Sequence, residues 1–385
     1  MLKLNIFSYS SLFLAIIGLL TSHDLKAQVL TNNDVLFISA GAEVKVNNGA
    51  VLNQNSAQII NNGNLYIGGS YYEQNTAATY VGSTTGWLWF DGSSDQNLLS
   101  DATLSISRLK VDNGNRLILN QQTNLSNALD LSNNGALQLG THQLQLAAAA
   151  TISGYDENNY VITNATGTMQ RAVDATPVVF PVGNSSYNPA ILINNGTTDN
   201  FQIRVLDDAF EQGTIGTIQT ENIVDRSWII SESVLGGSNL DLELEWNEAE
   251  ELAFFDRGNS AINRHISGLT WDNPVLFTPA MNVGTNRWSQ FRSGITALTT
   301  FVVEDNLSSL PVELLEFTAE RLNFEEVDLN WVTATELNNE GFYIERMIDG
   351  EAEFSTLAFV EGSGNSTDTR YYHHIDLNNL SLIHV

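Results

Sequence analysis

The sequence predicts an all-β protein in three successive parts: a short parallel β-solenoid, an antiparallel β-sandwich and a second, incomplete sandwich. Short apolar-x-apolar pairs recur over residues 28–150, longer alternating runs occupy 151–306, and alternating runs between turn residues return over 310–385. Alternation with a period of two is typical of strands that bury one face. We expect essentially no helix in the solenoid part.

Residues 28–150 have the pattern of stacked short coils. Asn47-Asn48-Gly49 returns as Asn61-Asn62-Gly63 and again as Asn133-Asn134-Gly135. Strands of two to four residues become stable when coils stack and bury a continuous apolar column, and Asn side chains at the corners are expected to form hydrogen-bonded ladders. An antiparallel sandwich is the alternative, because the repeat period is irregular. The apolar pairs are Val44/Val46, Leu65/Ile67, Leu104/Ile106, Leu117/Leu119, Leu129/Leu131, Leu137/Leu139 and Leu144/Leu146.

Residues 151–306 contain longer strands. Phe201–Val205 and Leu240–Trp246 alternate strictly, and the segment 180–183 contains Pro181, which cannot donate to a strand ladder and therefore marks a turn or an edge. Several such strands at this spacing predict an antiparallel sandwich.

Three carboxylates, Asp241, Glu243 and Glu245, share one face of a predicted strand, with about 7 Å between successive pairs. Glycosidases take their acid and base from different strands, in a cleft that separates the two pKa values. Acids that alternate with Leu242, Leu244 and Trp246 are instead typical of the solvent side of an amphipathic strand. The sequence therefore favours a solvated face, and a weak metal site for calcium is the alternative.

Trp87 and Trp89 are the candidate ligand-binding residues. They are two positions apart in Gly86-Trp87-Leu88-Trp89-Phe90 and so share a strand face, where two indoles in a row are able to form a platform for sugar rings. Large aromatic side chains are normally well buried, so we expect the pair to close one end of the solenoid or to pack under a loop.

Composition and the N-terminus indicate export. Lys3 precedes the apolar run Leu12–Leu20, and Ala27 offers a cleavage site, so residues 1–27 are expected to be a signal peptide. Nine apolar residues are too few to span a bilayer, which needs about 20. The chain has 44 acidic and 16 basic side chains, a net charge of −28, which disfavours nucleic acid as a partner. It has no cysteine, and it shows no motif for a catalytic nucleophile, a phosphate loop or a calcium loop, so no cofactor is expected.

Two series of motifs resemble a known family. The C-terminal part begins LPVELLEF and continues with VDLNWVTATELNNEGFYIERMIDG and FVEGSGNSTDTRYYHHID. It closely resembles the fibronectin-type-III-like module that precedes the C-terminal (type IX) sorting tail of large secreted proteins of Bacteroidetes. The middle part contains GTMQRAVDATPVVFPVG, SYNPAILINNGTTDNFQIRV, VDRSWIISES and RSGITALTTFVV, in the order found in surface proteins of the same bacteria. The resemblance implies a location in the cell envelope or outside the cell, export by the envelope machinery, and β-sandwich modules. It implies no reaction.

We therefore expect a non-enzymatic surface or secreted protein with a structural, adhesive or binding role, whose partner is an extracellular glycan or a surface protein. The alternative is a polysaccharide-degrading enzyme or its carbohydrate-binding accessory region. The C-terminal module has five predicted strands where a fibronectin-type sandwich has seven. We expect this module to be truncated, to leave Trp331 uncovered, and to be labile to proteases.

Overall fold

The computed structural model describes residues 23–25, 29–74, 76–133, 135–272, 276–305, 314–347, 354–366 and 368–377. It forms two compact units, residues 1–305 and 306–385. The described residues contain strands, two 3-10 turns at Glu248–Glu250 and Arg257–Asn259, and no α-helix, which confirms the all-β prediction. The expected signal peptide lies outside the described residues except for 23–25, and the LPVE motif at 310–313 lies outside them as well.

The first part of unit 1 is a parallel β-solenoid of about seven coils, as the sequence predicts. Its strands are β1 (His23–Leu25), β2 (Val29–Asn32), β3 (Val35–Ile38), β4 (Glu43–Val46), β5 (Ala50–Asn53), β6 (Gln58–Asn61), β7 (Asn64–Ile67), β8 (Tyr71–Glu73), β9 (Thr79–Gly82), β10 (Trp87–Phe90), β11 (Gln96–Ser100), β12 (Leu104–Val111), β13 (Arg116–Leu119), β14 (Thr123–Leu131), β15 (Ala136–Gln138), β16 (Leu144–Leu146) and β17 (Thr151–Ser153).

Each early coil contributes one strand to each of three faces. The first face runs β1-β4-β7-β10, the second runs β2-β5-β8-β11-β13-β15, and the third runs β3-β6-β9, with parallel pairing throughout. Most inward positions of the described strands are apolar and buried, as for Val46, Leu65, Ile67, Leu88 and Phe90. The short apolar pairs of the sequence are therefore the inward residues of successive coils.

The third face is interrupted after β9. The strand β12 is twice as long as β10, and its register shifts between Ile106 and Arg108. Its first half pairs with the start of β14 and its second half pairs with β10 on the first face. The first half of β12 therefore continues the third face, followed by β14 and β16, but β9 forms no ladder with it. This interruption positions the groove described below.

The second part of unit 1 contains the strands β18 (Val161–Ile162), β19 (Met169–Val173), β20 (Val178–Phe180), β21 (Val182–Gly183), β22 (Ala190–Asn194), β23 (Asp199–Leu206), β24 (Ser227–Glu232), β25 (Leu240–Asn247), β26 (Ser260–Ser267), β27 (Thr270–Trp271), β28 (Met281–Gly284), β29 (Arg287–Ile295) and β30 (Thr300–Asp305). Antiparallel sheets run β19-β23-β24-β30-β26-β27 and β20-β22-β25-β29-β28.

The solenoid and the antiparallel part join at β19. This strand is parallel to β16 on one side and antiparallel to β23 on the other. On the second face parallel pairing continues through β18 to β21. The boundary placed at residue 150 from the sequence therefore lies inside the solenoid, because the apolar pairs of the last coils are too irregular to recognise. One hydrophobic core extends from Leu30 to Val303 across the junction.

Polar side chains also stack inside the solenoid. The Asn32 Nδ2 donates to Asn53 Oδ1 at 2.8 Å, and Asn53 Nδ2 donates to Glu73 Oε1 at 3.4 Å. Asn32, Asn53 and Glu73 are paired positions of β2, β5 and β8, and all three are buried. This asparagine ladder confirms the expected corner ladders, although its third place is taken by a carboxyl group.

Unit 2 contains the strands β31 (Leu314–Arg321), β32 (Glu326–Thr333), β33 (Glu336–Arg346), β34 (Ser355–Ser366) and β35 (Arg370–Leu377). They form two small antiparallel sheets, β31-β32-β35 and β33-β34. Trp331 is only 2 % exposed and packs against Phe342 and Tyr372, so the expectation that this indole lacks a cover is wrong.

Candidate binding site

Trp87 and Trp89 lie on the outward side of the first face, in the middle of the solenoid. They flank the buried Leu88, and each indole is half-buried. We expected the two indoles to close one end of the solenoid or to pack under a loop, and they do neither. The outward side of β10 is instead covered by side chains from the two neighbouring strands.

These neighbours enclose the rings from both sides. The Tyr66 ring of β7 lies 4.7 Å from the Trp89 ring, and Lys110 Nζ of β12 lies 4.3 Å from the centre of the same ring. The Arg108 guanidinium lies 4.0 Å over the Trp87 ring and donates to the Thr84 carbonyl oxygen. We call Lys45, Tyr66, Trp89 and Lys110, which are paired positions of successive strands, the cation–aromatic ladder.

The two lysines and the indole of the cation–aromatic ladder have acidic partners. Lys45 pairs with Asp91 at 2.9 Å and Lys110 pairs with Asp130 at 3.4 Å, while Trp89 Nε1 donates to Asp112. A flat sugar platform needs an exposed ring face. Tyr66 and Lys110 come from opposite sides of β10 and both contact the half-buried Trp89 ring, so this indole offers no open platform. The arrangement is suited to holding coils together.

Asp241, Glu243 and Glu245 alternate with buried residues on β25, as predicted, and each is half-buried. Asp241 Oδ2 accepts a hydrogen bond from Asn195 Nδ2 at 2.8 Å. No described group of three or more His, Asp or Glu side chains is arranged to hold a metal ion.

The expectation of a solvated position is wrong for Glu245. Its Oε2 lies 2.5 Å from Arg287 Nη2, and Arg287 is 6 % exposed and stacks on the Tyr187 ring. Burial raises the pKa of the Glu245 carboxyl, and the hydrogen bond from Arg287 acts in the opposite direction. Arg287 comes from the paired strand β29, 42 residues further along the chain, so the sequence pattern of β25 alone gives no sign of it.

A second buried carboxylate is also enclosed by structural partners. Glu250 is paired with Arg226 at 3.1 Å and accepts hydrogen bonds from Asn188 and Ser186. Arg226 also donates to Asn188 and to the Asp207 carbonyl oxygen. Ser186 and Asn188 lie 64 and 62 positions before Glu250, and sequence analysis did not identify the cluster. The cluster fixes the chain around β24 and offers no free carboxylate.

An open groove of about 370 Å³ lies at the interruption of the third face. Its size falls at the lower end of the range for small-molecule sites. One wall comes from β9 and the other from the first half of β12, followed by β14 and β16. The lining residues are Tyr80, Val81, Gly82, Ser105, Ile106, Ser107, Asn124, Leu125, Ser126, Gln145 and Ala147.

The lining has hydroxyls, amides and apolar groups and contains no ionisable acid or base other than the Tyr80 phenol. Asn124 Oδ1 is buried and has no hydrogen-bond partner. Ser107 is by contrast satisfied, since its hydroxyl donates to the Ser83 carbonyl oxygen and accepts from Asn127. The groove therefore offers neutral donors and acceptors above an apolar floor. It offers no group for acid–base catalysis near neutral pH.

Sequence analysis did not identify this groove, because its walls come from strands whose relation appears only when the coils are stacked. Among the described residues, no helix is long and apolar enough to cross a membrane. Comparison of the chain with family models, curated proteins and solved structures gives no match.

Proposed function

We propose that this chain is a non-enzymatic protein exported to the cell surface or the medium of a Bacteroidetes-type bacterium, where it has an adhesive or binding role. In this proposal residues 1–27 direct export, unit 1 carries the binding surface, and unit 2 is the fibronectin-type-III-like module that connects it to the sorting machinery. Extracellular glycans or surface proteins are its partners.

The observation that carries the proposal is the chemistry of the groove on the third face. Hydrolysis of a glycosidic bond ordinarily needs two carboxyl groups placed on either side of the bond. The lining of the groove has amides and hydroxyls instead, and the carboxylates Glu245 and Glu250 are held by Arg287 and Arg226. We therefore expect this surface to bind a glycan without hydrolysing it.

The architecture supports a binding role in a second way. Stacked coils create long regular surfaces on which each strand repeats the position of the last. The net charge of −28 keeps such a surface soluble and repels anionic polymers.

The alternative is a polysaccharide-degrading enzyme or its carbohydrate-binding accessory region. The solenoid groove favours the accessory region, since it has a polar lining but lacks a carboxylate pair. The two possibilities differ in whether the chain releases new sugar ends.

The test combines binding with turnover. The purified full chain is incubated with insoluble polysaccharides and with whole bacterial cells, and both retained protein and released reducing sugar are measured. Retention without release is expected. Release of reducing sugar that grows with time and protein concentration would show an enzyme.

Export is tested by sequencing the mature protein. We expect its N-terminus to be Gln28, recovered outside the inner membrane. Recovery of a mature form that still contains residues 1–20 would contradict this part of the proposal.

A further inference from the structure

Six neutral polar residues stand in register across six strands of the third face and its antiparallel continuation. Ser105 pairs with Asn124, Asn124 with Gln145, and Gln145 with Gln170. Gln170 in turn pairs with Gln202, and Gln202 with Ser231. We call this row the polar track; its members are Ser105, Asn124, Gln145, Gln170, Gln202 and Ser231.

The track lies on the outward side of the sheet, where Gln170 is 8 % exposed and the other five members are half-buried or exposed. Its members are flanked along their strands by core residues, and successive side chains of a strand point to opposite sides. The flanking core residues are Leu104, Ile106, Leu125, Leu144, Leu146, Met169, Phe201, Ile203 and Ile230. Five steps of about 4.8 Å between strands give the track a length of roughly 24 Å. Its first three members line the groove.

The track differs from the asparagine ladder inside the solenoid. In that ladder the amide of Asn32 is bonded to that of Asn53. No hydrogen bond joins the six side chains of the track to one another; Gln170 Nε2 instead donates to Ser233 Oγ at 3.4 Å, and Asn124 Oδ1 has no partner. The row therefore retains hydrogen-bonding capacity that a purely structural ladder would have used.

The side chains of the polar track indicate which class of ligand it binds. Each amide and hydroxyl offers both donors and acceptors, as do the hydroxyl groups of a sugar. Val81 and Ala147, which are both exposed, provide apolar surface beside them for the carbon skeleton. Fixed charge is absent from the row, and the surrounding protein is strongly acidic, which disfavours an anionic polymer.

We infer that the polar track binds a neutral polysaccharide, laid across the strands with successive sugars near successive side chains. This inference rests on the proposed binding function and assigns it a surface and a ligand class. The regular step favours a polymer over a single small molecule.

An extended peptide fits the track less well. Peptides that join sheets bind along a free strand edge through backbone hydrogen bonds. The strands β14, β16, β19, β23 and β24 each have a partner on both sides, so the track presents side chains without a free edge along this length. Unpaired edges, those of β9 and of the first half of β12, lie only at its groove end.

The test uses the full chain and soluble neutral polymers of glucose, mannose and galactose, with a uronic acid polymer for comparison. Binding is measured as retardation in native affinity electrophoresis. We expect at least one neutral polymer to retard the protein, and Asn124→Ala/Gln145→Ala to raise the apparent Kd about tenfold through lost hydrogen bonds. Ser105→Arg, which puts bulk and charge into the groove at an exposed position, should abolish binding.

Gln58→Ala is the matched control, because Gln58 is exposed on the third face in β6 but lies outside the track. Unfolding midpoints of all variants establish that they fold. Absence of retardation by every neutral polymer, preferential retardation by the uronic acid polymer, or wild-type affinity in both track variants would overturn the inference. Binding of extended peptides in competition at the track would overturn it in favour of a protein partner. Wild-type binding by the track variants leaves the proposed function in place, whereas sugar release refutes that function itself.

Discussion

The two units of the molecule bury apolar surface in different ways. In unit 1 one core cluster runs through coil after coil, and residues such as Leu65, Leu88 and Leu109 are fully buried. In unit 2 every residue of β31 is exposed, and burial is concentrated on Trp331 and Ile344. Repetition therefore distributes the stability of unit 1 over many small contributions, while unit 2 depends on a few side chains.

Buried polar networks occur in both units. Unit 2 contains a dense network, in which buried Glu336 accepts hydrogen bonds from Thr333, Asn339 and Tyr372 and from the Ser363 backbone. Burial acts to raise the pKa of Glu336, but these hydrogen bonds outweigh it and hold the pKa below its usual value. Unit 1 has a comparable cluster around Glu250 and also spreads polar contacts along the asparagine ladder. Since the apolar core of unit 2 depends on few side chains, a single core substitution should have its largest effect there.

The largest expected effect comes from Trp331→Ala. Loss of this buried indole removes the packing partner of both Phe342 and Tyr372 and should destabilise unit 2 by about 3–5 kcal/mol. Limited proteolysis of the full chain should then cleave within 314–377 while unit 1 persists. Tyr371→Ala is the control, because Tyr371 is 78 % exposed; equal protease sensitivity in both variants would refute the dependence on Trp331.

The second effect concerns the carboxyl group in the asparagine ladder of unit 1. Burial raises the pKa of Glu73 to about 7, and the hydrogen bond from Asn53 reduces this shift. The folded state therefore holds its proton more tightly than the unfolded state, and stability falls as pH rises from about 4.5 to about 7. Glu73→Gln removes this loss and should raise the free energy of unfolding by about 2–3 kcal/mol at pH 8, with little change at pH 4.

Denaturant unfolding of wild type and variant over pH 4–8 measures this difference. Glu157→Gln is the control, since Glu157 is exposed, and it should follow the wild-type curve at every pH. A Glu73→Gln variant that gains no stability above pH 7 would show that ionisation of the buried Glu73 carboxyl does not destabilise the folded state.

The third effect separates two neighbouring acids of β25. Glu245→Gln leaves the buried Arg287 guanidinium without its carboxylate and should cost about 1–3 kcal/mol, less than a fully buried pair because Glu245 retains some exposure. Glu243→Gln should change the free energy of unfolding by less than about 0.5 kcal/mol. Equal effects of the two substitutions on the unfolding midpoint would contradict the assigned ion pair.

The smallest effect tests the cation–aromatic ladder. A double-mutant cycle with Lys110→Met and Trp89→Leu should give a coupling of about 0.5–1 kcal/mol, the lower part of the range for cation–π contacts, because Lys110 is also paired with Asp130. Unfolding midpoints in low and high salt provide the measurement. Additive effects of the two substitutions would show that the ladder contributes packing alone.

The fold was predictable to the extent that it depends on local patterns. The pairs Val44/Val46 and Leu65/Ile67 mark inward positions of short strands, and Leu240–Trp246 marks a longer one, so strand type followed from spacing. The end of the solenoid was misplaced, because β18 and β21 contain only two residues each and their parallel pairing depends on partners far along the chain.

The candidate binding surface was not predictable in the same way. Trp87 and Trp89 attract attention because indoles are rare and large, whereas Gln145 and Gln202 are ordinary strand residues until their register is known. A periodic signal was nevertheless present. Intervals of 21, 23 and 21 residues separate Lys45, Tyr66, Trp89 and Lys110, and a search at that spacing would have aligned the coils.

The strand β19, parallel to one neighbour and antiparallel to the other, separates a repetitive segment from a unique one. Each coil before it contacts mainly the coils above and below, so duplication or loss of one coil there leaves the junction and the following sheets unchanged. A coil duplicated between β12 and β19 would extend the polar track by one step of about 4.8 Å. The length of the polar track can thus change in evolution through the number of coils, without new kinds of side chain.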